Sequence, residues 1–365
     1  MAVDYLARKS NVGLSFKPTW GSTGDIGGTL SASPAKTLLV DPGQLKPSIA
    51  LVREELQLTS AAGLMAEAAR SITDYSSGVH RFSVGGTVLR DQLPLFLFLS
   101  LFKATETDDL VSDPDDFQQV FVPWAETGIP DFTDPFDPAS SASPNTKVPV
   151  CSLVVDYMAG NNAGAQYFND AIINSLNLTL NVNNSGIARF LNFTAEFAAA
   201  NVVENANGTD STFPTAPAIV TYNNATPFTF TLAGTVSYSG CFKTYGLSIN
   251  NNVTTDCRTT GGRANNFRIS PEIMVDFTIP CNDTTDTLAA GSLAGTEQTI
   301  TLSTGTSLSP GYLNIVAKGA LVGNLERIIE NNVWVYKGQL KCEKPASGSM
   351  LTVTINSLTQ LLVTP

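Results

Sequence analysis

The chain has very little of what most catalytic and metal sites are built from. Among its 365 residues there is one histidine, and the five cysteines show no CxxC pair and no zinc-ligand spacing. No GxSxG or GxGxxG motif occurs, and GSTGDIGG (residues 21–28) lacks the lysine of a P-loop. The sequence therefore predicts no enzymatic activity, no metal and no cofactor.

Positive charge is also scarce. The chain has 21 Lys and Arg against 32 Asp and Glu, a net charge of −11, and no cluster of basic residues. This excludes a basic surface of the kind that holds nucleic acid tightly. A polyanion could pass such a protein without adhering to it.

Long hydrophobic runs are missing as well. The longest, LPLFLFLSLF (residues 93–102), is about half the length needed to span a bilayer. The first residues, MAVDYLARKSNVGL, have no apolar stretch with a cleavage site, so neither a secretory signal nor membrane association is expected. The run is predicted to be a buried helix or a strand, and Asp91 before it and Pro94 in its first turn favour a short helix. Being apolar on every side, it should be covered on every side.

The cysteines stand at positions 151, 241, 257, 281 and 342. Their number is odd and no secretion signal accompanies them, so buried thiols are expected. The pair Cys241 and Cys281, at the outer ends of a predicted hairpin, is the one bridge considered. His80 shares its parity with Phe82 and Val84, which predicts a structural histidine on the core side of a strand.

What the chain does contain indicates a mainly β protein. Apolar residues make up 43% and charged residues only 15%, and alternation of period two recurs along the chain. The clearest example is SLNLTLNVNNSGIARFLNFTAEF (residues 175–197), where Leu, Val, Phe and Ala alternate with Asn, Thr and one Glu. Such a segment predicts an antiparallel hairpin with one buried and one polar face. A polar face of this kind is ordinarily just exposed to solvent.

The coarse organisation has four parts. Residues 1–48, rich in Gly, Ser, Pro and Thr, predict an extended arm with little core of its own. Residues 49–210 and 228–365 predict two β-rich halves. Within the first half, residues 104–149 carry many Asp and Pro and predict a long loop or small insertion.

A weak internal repeat links the two halves. YFNDAIINSLNLTLNV with ARFLNFTAEFAAA (residues 167–200) has the layout of YSGCFKTYGLSINNN with NNFRISPEIMVDF (residues 238–277). Each has an aromatic residue, an alternating strand, a turn and a return strand with a carboxylate near its end. This pattern suggests a duplicated β unit.

Carboxylates of the acidic segment are the best candidates for chemistry. They could act as glycosidase acids or calcium ligands, but their spacing misses the EF-hand pattern and such loops are ordinarily only solvated. They form two groups: Asp113, Asp115 and Asp116, and Asp131, Asp134 and Asp137.

In pattern and order, most of the chain resembles the tail tube proteins (major tail proteins) of long-tailed bacteriophages. The resemblance is carried by VREELQLTS, FSVGG with DQLPLFLFLSLF, NSLNLTLNV, the GCFKTYGLSINNN to ISPEIMVDFTI hairpin, and SMLTVTINSL. The acidic segment 104–149 departs from the family pattern. The resemblance implies a β-sandwich or barrel-like fold in a virion protein that is assembled in the host cytoplasm.

In this family, long hairpins of neighbouring subunits join edge to edge into an inner barrel, and rings stack into a hollow tail through which DNA is ejected. Partners would be further copies of the chain, other tail proteins at the tube ends and, in tails that carry one, a sheath. A duplicated chain would form a pseudo-hexameric trimer, and a single-domain chain a hexamer.

The resemblance also assigns candidate residues, and it implies a lumen lined by amides, hydroxyls and occasional carboxylates, with no cation to hold phosphates. Those expected to line the lumen are Asn177, Thr179, Asn181, Asn192, Thr194, Glu196, Ser248, Asn250, Glu272 and Asp276. Those expected between rings or subunits are Asp4, Tyr5, Arg8 and Trp20 of the arm. Deleting residues 1–30 should accordingly leave a folded protein that no longer polymerises.

Two other classes fit the composition. A capsid or decoration protein would also be β-rich, acidic and free of catalytic residues, but would form shells or knobs. A surface carbohydrate-binding β protein would stack Trp20, Trp124 and Trp334 on sugars and bind calcium in the acidic segment.

Overall fold

The structure is a computed structural model with one α-helix and 21 strands in the residues it describes. It describes residues 11–16, 36–48, 52–56, 70–74, 79–107, 117–124, 147–156, 165–182, 188–204, 219–222, 227–234, 236–255, 267–282, 284–285, 288, 295–307, 311–345 and 347–357. The chain is mainly β, as predicted.

The elements fall into two runs along the chain. The first run is β1 (Asn11–Phe16), β2 (Lys36–Leu38), β3 (Lys46–Ser48), β4 (Val52–Leu56), β5 (Arg70–Asp74), β6 (His80–Thr87), α1 (Leu93–Leu101), β7 (Phe102–Thr107), β8 (Phe117–Pro123), β9 (Cys151–Asp156), β10 (Ala165–Val182) and β11 (Ala188–Glu204). The second is β12 (Thr229–Ala233), β13 (Tyr238–Gly240), β14 (Thr244–Asn250), β15 (Thr254–Thr255), β16 (Phe267–Arg268), β17 (Glu272–Pro280), β18 (Gln298–Thr304), β19 (Leu313–Glu330), β20 (Val333–Cys342) and β21 (Leu351–Ser357).

Helix α1 is the short buried helix that the apolar run predicts. Pro94 lies in its first turn, and Phe102 ends it in the left-handed region (φ 64°) with its N–H bonded to the Phe98 carbonyl. All nine helical residues are buried. Phe96 packs on β11, with ring centroids 4.7 Å from Phe193 and 6.3 Å from Phe197.

Eight strands form one continuous antiparallel series, in the spatial order β3, β6, β11, β10, β14, β17, β20, β19. Their alternating residues divide cleanly, because successive side chains of a strand point to opposite faces. One face carries fully buried apolar side chains such as Leu178, Phe197, Leu247 and Val275. We call this series the eight-strand sheet.

The remaining strands of the main network attach to it through its two longest members. The first part of β10 pairs with β9, which continues to β1 and β2. The first part of β19 pairs with β18, which continues to β12 and β13. The same part of β19 also pairs with β21, which continues to β8 and then β7. In the described residues these pairings branch without closing a barrel. Gly319 is the first residue of β19 that pairs with β20. A Cβ at this position would lie 1.9 Å from the Lys341 carbonyl oxygen, so only glycine fits.

The pairing order repeats along the chain. In residues 11–204, β1 pairs with β2 and β9, β9 with β10, β10 with β11, β11 with β6, and β6 with β3. Residues 229–342 repeat these pairings with seven other strands: β12 pairs with β13 and β18, β18 with β19, β19 with β20, β20 with β17, and β17 with β14. The counterparts of β1, β2, β3, β6, β9, β10 and β11 are, respectively, β12, β13, β14, β17, β18, β19 and β20, in the same chain order. Even the small ladder β4–β5, inserted between β3 and β6, has a counterpart in β15–β16, between β14 and β17. We call these the first and second units.

This arrangement corrects the repeat drawn from the sequence. Hairpin β10–β11 corresponds to β19–β20, whereas the sequence pattern matched it to β14–β17. The period-two pattern could not tell these apart, because any two half-buried hairpins alternate alike.

Two expectations about chain segments also change. Residues 1–48 are not only an arm: β1 lies between β2 and β9, and Val12, Leu14 and Phe16 are buried in the core. The segment 104–149 is not only loop, because β7 and β8 form a hairpin whose β8 pairs with β21. In both places, partners distant in sequence supply the burial that local composition does not reveal.

Candidate functional site

The candidate site is the polar face of the eight-strand sheet. The ten residues proposed as lumen-facing all lie on this face, and each is exposed or half-buried. They fall in neighbouring rows of cross-strand pairs, so that Thr194, Asn177 and Ser248 lie side by side. The other rows hold Asn192, Thr179 and Asp276; Glu196, Asn250 and Glu272; and Asn181. Within one chain these ten residues thus span the four adjacent strands β11, β10, β14 and β17.

The polar face carries more cations than hairpin β10–β11 alone suggested. Arg81 Nη1 lies 3.0 Å from Glu196 Oε1, which also accepts a 2.7 Å hydrogen bond from Asn174 Nδ2. Lys341 Nζ lies 3.3 Å from Glu272 Oε1. The sequence-based expectation of a lining without cations is therefore wrong, because β6 and β20 bring basic residues next to the carboxylates. These two cations are nonetheless neutralised locally by their partners.

Amide and hydroxyl side chains complete the face. Gln339 Nε2 donates to Asp276 Oδ1 at 2.8 Å, and Thr244 Oγ1 donates to Thr278 Oγ1 at 2.7 Å. Cross-strand pairs of this kind hold side chains in place at small individual gain, about 0.2–1 kcal/mol each. The result is a wettable surface on which Glu196, Glu272 and Asp276 already have partners within the chain.

Both edges of the eight-strand sheet are open. Among the described residues β3 pairs only with β6, and β19 from Ala320 to Glu330 pairs only with β20. Unpaired strand edges are templates for association with another chain. The site therefore combines a polar face with two edges able to bind strands.

The β19–β20 hairpin ends in an apolar tip, made of Ile329, Val333 and Trp334. These side chains are 60%, 46% and 51% exposed, and Ile329 lies directly opposite Trp334. The turn between them, Asn331 and Asn332, has positive φ at both residues, as a type I′ turn requires. The Asn-Asn pair between apolar strands is the sequence signal that could have identified this tip.

A cleft of about 520 Å³ borders the other end of the sheet. The chain segment before β3 forms one wall through Leu39, Val40, Asp41 and Gln44, and the end of β6 lies opposite. Ile219, at its rim, is 78% exposed. Sequence reasoning missed this cleft, because its walls come from segments far apart in the chain.

Several predicted residues lie outside the described part of the chain. These are Asp4, Tyr5, Arg8 and Trp20 of the arm, the Asp residues 113–137 of the acidic segment, and Cys257. Of the other tryptophans considered for sugar stacking, Trp124 is half-buried against the core, and only Trp334 is exposed.

His80, Cys151 and Cys342 are buried, whereas Cys241 is exposed. His80 is buried as its parity predicted, and burial raises the pKa of the Cys151 thiol far above its usual value. No disulfide joins Cys241 and Cys281. In the described ranges, no three His, Cys, Asp or Glu side chains gather in a way that could hold a metal ion, and no helix has the length and apolarity to cross a membrane.

Comparison with known proteins adds no identification. No protein-family model matches the chain, and no curated protein matches it.

Proposed function

We propose that this chain is a structural virion protein that self-assembles into stacked rings forming the hollow tail tube of a long-tailed bacteriophage. The observation that carries the proposal is the eight-strand sheet, with a polar face, an apolar core behind it and two open edges. In a ring of copies, each open edge of the eight-strand sheet meets the next chain, and the sheet closes without a free edge. Such a ring is the tube wall that the family resemblance implies.

The repeated pairing order supports three chains per ring. Each unit contributes four strands to the sheet: β3, β6, β11 and β10 from the first, and β14, β17, β20 and β19 from the second. Because the family resemblance implies six tube units per ring, two units per chain require three copies. Eight strands is an even number, so the next copy continues the antiparallel alternation.

The chemistry of the polar face suits a conduit for DNA. Its amides and hydroxyls are readily hydrated, and the ion pairs Arg81–Glu196 and Lys341–Glu272 leave these cations occupied by carboxylates. Tight binding of DNA requires protein cations that contact the phosphates and release their counterions, and few unpaired cations lie on this face. DNA would therefore slide past without being retained.

Negative-stain electron microscopy with mass photometry, before and after concentration, tests the proposal. We expect rings or tubes with a central channel, and a single-ring mass of about 116 kDa for three chains of 38.7 kDa each. A ring of about 232 kDa would keep the tube and refute the trimer. Single particles at every concentration, with no ring in any image, would contradict the proposed function and favour a decoration protein.

A further inference from the structure

The junction between the two units shows how strands of this protein join edge to edge. Within the chain, β10 of the first unit pairs antiparallel with β14 of the second, placing Asn177 opposite Ser248 and Thr179 opposite Gly246. The second unit ends in β19, the counterpart of β10, and its outer edge is open in the described residues. The first unit begins in β3, the counterpart of β14, also with an open outer edge.

Residue equivalences follow from the pairing registers. The ladders β1–β2 and β12–β13 each contain three residue pairs. Val12 forms the first pair of one ladder and Phe230 the first pair of the other, so these two residues are equivalent. Following the paired residues through β9 to β11, and through β18 to β20, aligns Ala199 with Cys342. This alignment counts the one extra residue of the β10 bulge between Phe168 and Ala171, which shifts the pairing with β9 by one position.

The same registers carry the alignment to both edges. On one side, Ala199 pairs with His80 of β6, and Cys342 lies level with Ile273 of β17, so His80 and Ile273 are equivalent. The pairings of β6 with β3 and of β17 with β14 then make Lys46 equivalent to Gly246 and Ser48 to Ser248. On the other side, Thr194 pairs with Asn177 as Lys337 pairs with Glu326. Glu326 is thus the equivalent of Asn177, and Ile328 that of Thr179.

We propose that the outer edge of β19 pairs antiparallel with the outer edge of β3 in a second copy of the chain, in the register of the β10–β14 junction. Glu326 then lies opposite Ser48 of the second copy, and Ile328 lies opposite Lys46 of the second copy. This inference rests on the proposed function, and it specifies which surfaces form the contact between chains.

Charge complementarity supports this register. Lys46 is exposed on the polar side of β3, and Glu326 is exposed on the polar side of β19. In the proposed register, Lys46 lies diagonally between Glu326 and Glu330 of the neighbouring chain. Shifting the pairing by one residue would set Lys46, whose side is fixed by its pairing with Ser83, opposite a residue of β19 that points to the apolar face.

The hairpin tip and the cleft support the same pairing. As β19 runs from Glu326 to Glu330, its antiparallel partner runs from Ser48 back towards Gln44, which lines the cleft. The apolar tip, Ile329, Val333 and Trp334, is thereby brought to the cleft of the second copy. Two exposed apolar features of the free chain cover each other in one contact.

Cysteine cross-linking tests the register directly. Residues directly opposite in an antiparallel pair have Cα atoms about 4.5–5.5 Å apart, within the range of about 4.4–6.8 Å that a disulfide spans. The variant with Ser48→Cys and Glu326→Cys should therefore form covalent multimers, closing at three chains, on non-reducing gels after mild oxidation. The matched control combines Ser48→Cys with Lys337→Cys, one strand further in and about 10 Å away, and should not cross-link. Cys241, which is exposed, is replaced by Ser in both variants.

A charge exchange gives a second readout. Lys46→Glu should raise the concentration needed for ring formation at least tenfold, and adding Glu326→Lys should restore it. Glu326 is chosen over Glu330, whose carboxylate lies 3.6 Å from Lys243 of its own chain. Because Lys46 and Glu326 are exposed, the free chain should stay folded in each variant, as circular dichroism would verify.

The outcomes separate this inference from the proposed function. Rings in which Ser48→Cys and Glu326→Cys cross-link, while the control pair does not, would support it. Rings that form normally without this cross-link would refute the assigned edges and leave the tube proposal standing. A wild-type chain that forms no ring at all would refute both.

Discussion

The division of the sheet into two faces makes a sharp prediction for two adjacent residues of β10. Leu178 is fully buried and lies between Phe193 and Leu247, its cross-strand neighbours on either side. Thr179, the next residue, is exposed on the polar face. Leu178→Ala should lower the free energy of unfolding by about 2–5 kcal/mol, the cost of a lost side chain plus its cavity.

Thr179→Ala is the matched control, because it also truncates one side chain in the same strand. It should cost less than about 1 kcal/mol, since only β propensity and exposed contacts are lost. Urea unfolding of the unassembled chain, followed by circular dichroism, measures both values. A cost at Thr179 equal to or above that at Leu178 would refute the assignment of the faces.

Three further predictions concern the polar face, the amino terminus and the core. Glu196→Gln removes the carboxylate that pairs with an arginine on the polar face, so assembled particles should bind short duplex DNA more tightly at low salt, with a gain that fades as salt rises; unchanged fluorescence anisotropy would contradict this. Deleting residues 1–9 should leave the unfolding temperature unchanged, whereas deleting residues 1–16 should lower it because β1 is lost. The shorter deletion is therefore the one that tests the arm's role in polymerisation. Equal unfolding temperatures for the two deletions would be evidence against a core role for β1. Tyr245→Phe should stabilise the chain by about 1 kcal/mol, because its buried hydroxyl has no hydrogen-bond partner among the described residues; a lower midpoint in urea would show that the hydroxyl is satisfied.

The proposed contact between chains places the protein among heterologous assemblies, in which one surface binds a different surface of the next copy. The two open edges are not self-complementary, because β3 carries Lys46 and β19 carries Glu326. A closed ring satisfies both edges in every copy, and an isolated dimer leaves one of each open. This difference explains why rings, and not dimers, are the expected product.

The sequence alone determined the features that depend on neighbours in the chain. Alternation over residues 175–197 assigned the buried and polar sides of β10 and β11 correctly, because side chains of a strand alternate by geometry regardless of its partners. The uniform apolarity of residues 93–102 predicted a helix covered on all sides, and parity predicted a buried His80. These are local properties, readable from one strand or one turn at a time.

The tertiary structure alone decided which strands are neighbours. The place of β1 in the core, the β7–β8 hairpin, the ion pairs Arg81–Glu196 and Lys341–Glu272, and the equivalence of β10–β11 with β19–β20 all depend on pairings between residues far apart in sequence. Many pairings bury the same apolar faces equally well, so the alternating pattern cannot choose among them. Among the described residues, the open edges of β3 and β19 follow from these pairings and cannot be read from either strand alone.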